Sequence, residues 1–135
     1  MVALMVRSID QRPVQCNARS LLFRAHAALE RGSVTEAGCL LREAVRLYLL
    51  AECTYSDCLP AKKGQRVPAM LLKSLKKQVP DFGAEWLEEI IGYCNQLAHC
   101  QFVRPGLIEA SIGAVHLYLD CATYLLEPTA AGRLS

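Results

Sequence analysis

The chain has no C-x-x-C pair, no glycine-rich phosphate loop, no nucleophile elbow and no pair of carboxylates at catalytic spacing. These absences argue against a compact zinc site, a nucleotide-triphosphate cradle, α/β-hydrolase serine chemistry and two-carboxylate acid/base chemistry. No segment alternates apolar and polar residues convincingly, so a sheet is not expected. The apolar start, MVALMV, runs into Arg7 and Asp10 at once. That is short of the roughly 7–15 apolar residues of a secretory leader, and the chain reads as cytoplasmic. Aromatics are only 7% of the residues. None interleaves with the basic run Lys62, Lys63, Arg66, Lys73, Lys76 and Lys77, which also contains no acid between Asp57 and Asp81. A single-strand stacking platform needs such aromatics, so the run reads first as a solvated face. The net charge of +2 is too small to imply nucleic acid by itself.

What is present is a globular composition, with 53% hydrophobic and 21% charged residues over 135 positions. One domain of this size hides about two-thirds of its unfolded surface and needs no staples. The seven cysteines, at 16, 39, 53, 58, 94, 100 and 121, are odd in number and loosely spaced. They read mostly as small reduced core residues.

Helical punctuation organises the chain. Residues 1–16 have no clear period and read as an N-terminal tail. Asn17 is a candidate N-cap for a helix over about 18–31, which Gly32 would stop. Ser33 and Glu36 have capping-box spacing and predict an immediate second helix to about residue 53, giving an antiparallel hairpin. Residues 54–65 read as a loop. Pro68 suits the first turn of a third, shorter helix, ended by Pro80. Asp81 would cap a fourth over about 83–101, and Pro105 opens a fifth to about residue 127. The expected fold is all-α, an antiparallel (up-and-down) four-helix bundle with one additional short helix, spanning 17–127, followed by a C-terminal tail at 128–135.

The fifth helix is almost apolar all round, yet Glu109, His116, Asp120, Thr123 and Glu127 follow one stripe. A bilayer would penalise that stripe, so no membrane span is expected. His116 and Asp120 can also pair across one turn.

The fourth helix carries the most suggestive stretch, YCNQLAHCQ at 93–101. Projected at about 100° per residue, Trp86, Leu87, Ile90, Ile91, Cys94, Leu97 and Ala98 form an apolar arc. Glu88, Gly92, Asn95 and His99 fall on the other side, and Gly92 leaves room for close approach. This can simply be a solvated face with a histidine near the negative end of the helix. The same geometry also suits binding of a phosphate or ribose hydroxyl, and an imidazole can move a proton near neutral pH. Cys94 and His99 diverge around the helix, so no metal site is expected there.

The segment C-N-Q-L-A-H at 94–99, with LLREAVRLYLLAE at 40–52, resembles the HEPN (higher eukaryotes and prokaryotes nucleotide-binding) superfamily of helical bundles. Its signature is an Arg, usually followed by Asn or another polar residue, then four to six variable positions before a His on a late helix. Active members of that family are metal-independent ribonucleases, some of toxin-antitoxin type, and need no cofactor. Two chains pair so that Arg and His line a shared cleft. Other members are binding modules or partners of nucleotidyltransferases. The resemblance implies a homodimer, RNA or nucleotide as ligand, His99 as acid/base or 2′-hydroxyl-orienting group, and Asn95 as its support. The chain departs from the signature at Cys94, where the family has Arg. A thiol lacks the guanidinium's fixed charge and its paired donors. Losing such stabilisation of a developing anion costs roughly 2.7–4 kcal/mol. Unless another arginine substitutes, Arg104 being close in sequence, a catalytically degenerate nucleotide- or RNA-binding or accessory module is expected. A purely structural interaction bundle is the alternative outside nucleic-acid chemistry.

Overall fold

A computed structural model describes residues 12–124. Among them are five α-helices and no strand: α1 (Arg12–Glu30), α2 (Val34–Tyr55), α3 (Pro68–Gln78), α4 (Glu85–Ala98) and α5 (Pro105–Asp120), with one 3-10 turn at Lys63–Gln65. The long α2 is the centre of the architecture and packs against all four other helices. Its buried residues include Leu41, Val45, Tyr48 and Leu49. Around them gather Leu22 of α1, Leu71 and Leu75 of α3, Leu87 and Ile90 of α4, and Ile108 and Leu119 of α5. No helix among the described residues is long and apolar enough to cross a membrane.

The helix starts show where sequence signals succeed. Pro68 and Pro105 occupy first-turn positions, where a missing N–H costs nothing. Ser33 is the N-cap of α2, but its side chain makes no capping bond. Glu36 instead meets Arg31 at 2.7 Å. Asn17 is not a cap: it is exposed on α1, which begins at Arg12. The first turn of α1 is held by Gln15, whose Nε2 donates to the Leu119 carbonyl at 2.9 Å. The Tyr124 hydroxyl donates to the Gln15 Oε1 at 2.7 Å. Gln15 therefore ties the start of α1 to α5 and the turn after it. The expected tail at 128–135, positions 1–11 and Glu127 lie outside the described residues.

Three helices stop with the same hydrogen-bond motif. After α1, the Ser33 N–H reaches the Ala28 carbonyl while Gly32 takes φ +81°. After α2, the Cys58 N–H reaches the Cys53 carbonyl at 2.9 Å and Asp57 N–H that of Thr54, with Asp57 at φ 58°. After α4, the Gln101 N–H reaches Gln96 at 2.8 Å and Cys100 N–H that of Leu97, with Cys100 at φ 59°. This is the Schellman pattern, in which one left-handed residue lets two N–H groups satisfy the last carbonyls. Only the first uses glycine, which is why the other two helices end where the sequence gives little warning.

The fifth helix stops at Asp120, earlier than expected, because Glu52 intervenes. This carboxylate accepts the Thr123 N–H at 3.1 Å, and the chain begins a new helical turn at 123–124.

Candidate functional site

The turn carrying Asn95 and His99 lies at the C-terminal end of α4. Leu87, Ile90, Ile91, Cys94 and Leu97 bury one side, facing the rest of the bundle. The arc is narrower than expected, since Trp86 and Ala98 at its two edges are exposed. Asn95 is exposed, and so is His99, which is the C-cap of α4 and not a residue of its last turn. No other described side chain holds either of them. Space is open beside Gly92, where an added Cβ would meet nothing within 4 Å. Arg104 caps the start of α5 and is also exposed, without an ion pair among the described residues.

Cys94 sits in the core against α2. Burial, reinforced by Cys39, pushes its thiol up to about 12, while Arg42 opposes the shift. A thiol is neutral or, when ionised, anionic, so Cys94 cannot supply the cation that a phosphate site needs. The structure instead brings Arg42 of α2 into electrostatic range of this sulfur. Arg42 is half-buried and has no carboxylate partner among the described residues. Arg104, the substitute that the sequence suggests, is only close along the chain. Arg42 could be found only by knowing that α2 and α4 pack with Gly38 against Leu97, a contact so close that a Cβ on Gly38 would stand 2.5 Å from the Leu97 Cδ1.

A polar cluster around Glu52 had no signal in the sequence. Glu52 is 1% exposed and accepts the Tyr48 hydroxyl at 3.0 Å besides the Thr123 amide. Burial raises its pKa, against the lowering effect of those donors. Burial, followed by the adjacent Glu52, likewise raises the Tyr48 hydroxyl far above an ordinary phenol. Tyr118 and Tyr124 pack against Tyr48 with ring centroids 5.8 and 6.5 Å away, so the carboxylate is walled in aromatic side chains. Its hydrogen bonds are internal, and the arrangement is a structural clamp.

Arg19 of α1 donates to Asp120 and approaches His116 Nδ1 at 2.9 Å. The expected direct His116–Asp120 pair is thus mediated from α1. Burial, then Arg19, lowers the His116 pKa, which Asp120 partly offsets. Phe23, although 66% exposed, lies 5.4 Å from the His116 ring.

Two cavities lie elsewhere. One of about 350 Å³ between α3 and α4 is lined by Ala69, Leu72, Lys73, Lys76, Glu88 and Ile91. A shallow one of about 510 Å³ runs along Cys16, Arg19, Phe23 and Arg24 of α1. Neither includes Asn95, His99 or Arg104. In the basic run, Lys76 pairs with Glu88 and Arg66 donates to the Pro60 carbonyl at 2.9 Å. Among the described residues no three His, Cys, Asp or Glu side chains gather as a metal site would require. Nor are most cysteines core residues: only Cys53 and Cys94 are buried, and Cys16, Cys39, Cys100 and Cys121 are exposed.

No protein-family model, no curated protein and no solved structure matches the chain.

Proposed function

We propose that the protein is a HEPN-like accessory module that binds a nucleotide or RNA through the end of α4 and has lost catalysis. The observation that carries this reading is the open turn of Asn95 and His99, both exposed and uncommitted, beside the space at Gly92. Arg42, unneutralised and near Cys94, supports an anionic ligand. The buried thiol at 94 supports loss of catalysis, because charge stabilisation depends on a donor aimed at the reacting group. In this reading the helices form an up-and-down four-helix bundle of α1, α2, α4 and α5, with α3 as the added short helix. Two copies pair, in the cytoplasm, through the outer face of α5. Leu107, Ala110, Gly113 and Leu117 make that face apolar and, at its centre, flat. A nucleotidyltransferase-type protein is the partner class that the family resemblance suggests.

The test is thermal stabilisation by nucleoside monophosphates and by a short single-stranded RNA. The wild type should be stabilised, and His99→Ala or Asn95→Ala should lose the shift while keeping the ligand-free melting temperature. A ribonuclease reading requires metal-free RNA cleavage that His99→Ala abolishes. If neither the wild type nor Cys94→Arg cuts RNA, that reading fails. The second reading, a structural interaction bundle, is favoured by the exposure of Phe23, Phe102 and Leu117. It predicts no ligand shift in any variant, and binding of a partner protein that is lost on Leu117→Glu.

A further inference from the structure

Seven free thiols are scattered over the described residues, and the fold joins the backbones of two of them, Cys53 and Cys58, by a direct hydrogen bond. Cys53 and Cys58 occupy the two positions of the Schellman motif at the end of α2 whose side chains usually meet, the third residue from the helix end and the third beyond it. The Cys58 N–H to Cys53 carbonyl bond of 2.9 Å joins their backbones directly. With ordinary bond lengths it keeps their Cα atoms within about 7 Å, the limit beyond which bridging would need backbone movement. Asp57, at φ 58°, turns the chain so that Cys58 folds back over the helix. The two environments also differ. Cys53 is fully buried and donates its S–H to the Leu71 carbonyl at 3.3 Å. Cys58 is half-exposed, and its own carbonyl accepts the Ser74 hydroxyl. Burial, then the neighbouring Cys58, pushes the Cys53 thiol up to about 12.

We propose that Cys53 and Cys58 are a redox modification site that closes into a reversible intramolecular disulfide under hydroperoxides. Cys58, the accessible sulfur, attacks the peroxide oxygen as its thiolate. The O–O bond breaks, two electrons pass from sulfur to peroxide, and a sulfenic acid forms with release of water or an alcohol. The Cys53 sulfur then attacks the sulfenic sulfur. The S–S bond forms, the S–O bond breaks, and water leaves with the proton formerly shared with Leu71. A dithiol returns both cysteines to their starting state. The bond would pin the loop that carries Lys62, Lys63 and Arg66 to the end of α2 and would remove a donor from α3.

The full chain tests this directly. Trypsin releases both cysteines in one peptide, residues 47–62, because Arg46 and Lys62 flank them. After brief treatment with tert-butyl hydroperoxide and alkylation, that peptide should lose the mass of two hydrogens in at least tenfold excess over its singly oxidised forms. Dithiothreitol should restore it. Cys58→Ser and Cys53→Ser should each abolish the change, whereas Cys16→Ser and Cys121→Ser should leave it intact. The wild-type measurement decides the matter even if a Cys53 variant does not fold. Recovery of Cys58 as a sulfinic acid beside a free Cys53, of Cys58 joined to another cysteine, or of two unreacted thiols would overturn the proposal.

Discussion

The ends of α2 and α4 use the same backbone device in opposite surroundings. Each closes with a Schellman pair of hydrogen bonds around a non-glycine residue at positive φ, Asp57 in one and Cys100 in the other. At α2 the final turns sink into the bundle, where Glu52 and Cys53 are both buried and each has a fixed partner. At α4 the last turn buries Leu97 but turns Asn95 outward, and Asn95 and the C-cap His99 keep their hydrogen-bonding capacity. One helix end spends its polar groups on holding the fold. The other leaves them available to something else. The lesson is that a polar residue near a helix end says little until its surroundings are known.

The largest expected effect falls at the buried end. Glu52→Ala should destabilise the fold by about 3 kcal/mol, because it opens a cavity and strands the Tyr48 hydroxyl and the Thr123 amide. Urea unfolding followed by circular dichroism checks this. An effect below about 1 kcal/mol would mean that the two ends differ less than their burial implies.

The same carboxylate sharpens the contrast through pH. Because its folded pKa is raised, the folded state holds the proton more tightly than the unfolded chain does. That contribution is fully present below the ordinary value of 4.5 and is lost as pH rises through the folded value. Glu52→Gln should therefore flatten the stability profile on the rising side of pH 4.5, as a series of melting temperatures would reveal.

At the exposed end, Gly92→Ala should stabilise the protein by about 0.5–1 kcal/mol, since the site lies within α4 and the new methyl meets open space. The same change should weaken the nucleotide-induced shift by occupying the approach to Asn95. Cys100→Gly should also stabilise, by a few tenths to about 1 kcal/mol, by relieving the left-handed backbone. The smallest effect belongs to His99→Ala, within about 0.5 kcal/mol in the absence of ligand, because the ring touches nothing structural. A larger loss in thermal unfolding would show that His99 serves the fold.

The sequence announced helices well where proline or glycine marked a boundary, as at Gly32, Pro68 and Pro105. It failed where tertiary contacts decided. Asn17 has the chemistry of a cap, but Gln15 bonds across to α5 and draws the helix start back to Arg12. Nothing local to residues 121–123 foretells that Glu52, far away in the chain, captures an amide there. The outward placement of Asn95 and His99 followed from helical periodicity alone. Arg42 and the Cys53–Cys58 pair did not, because one depends on how two helices pack and the other on a left-handed turn at Asp57, a conformation that aspartate tolerates but its presence does not require.

The grip of Glu52 on Thr123 has a consequence for isotope exchange. Thr123 is solvent-facing and sits at the frayed start of a helical turn, where amides ordinarily trade their protons with water within moments. Bound to the buried Glu52 carboxylate, this one can exchange only when that hydrogen bond opens. Its deuterium uptake therefore reports how often this turn lets go of α2.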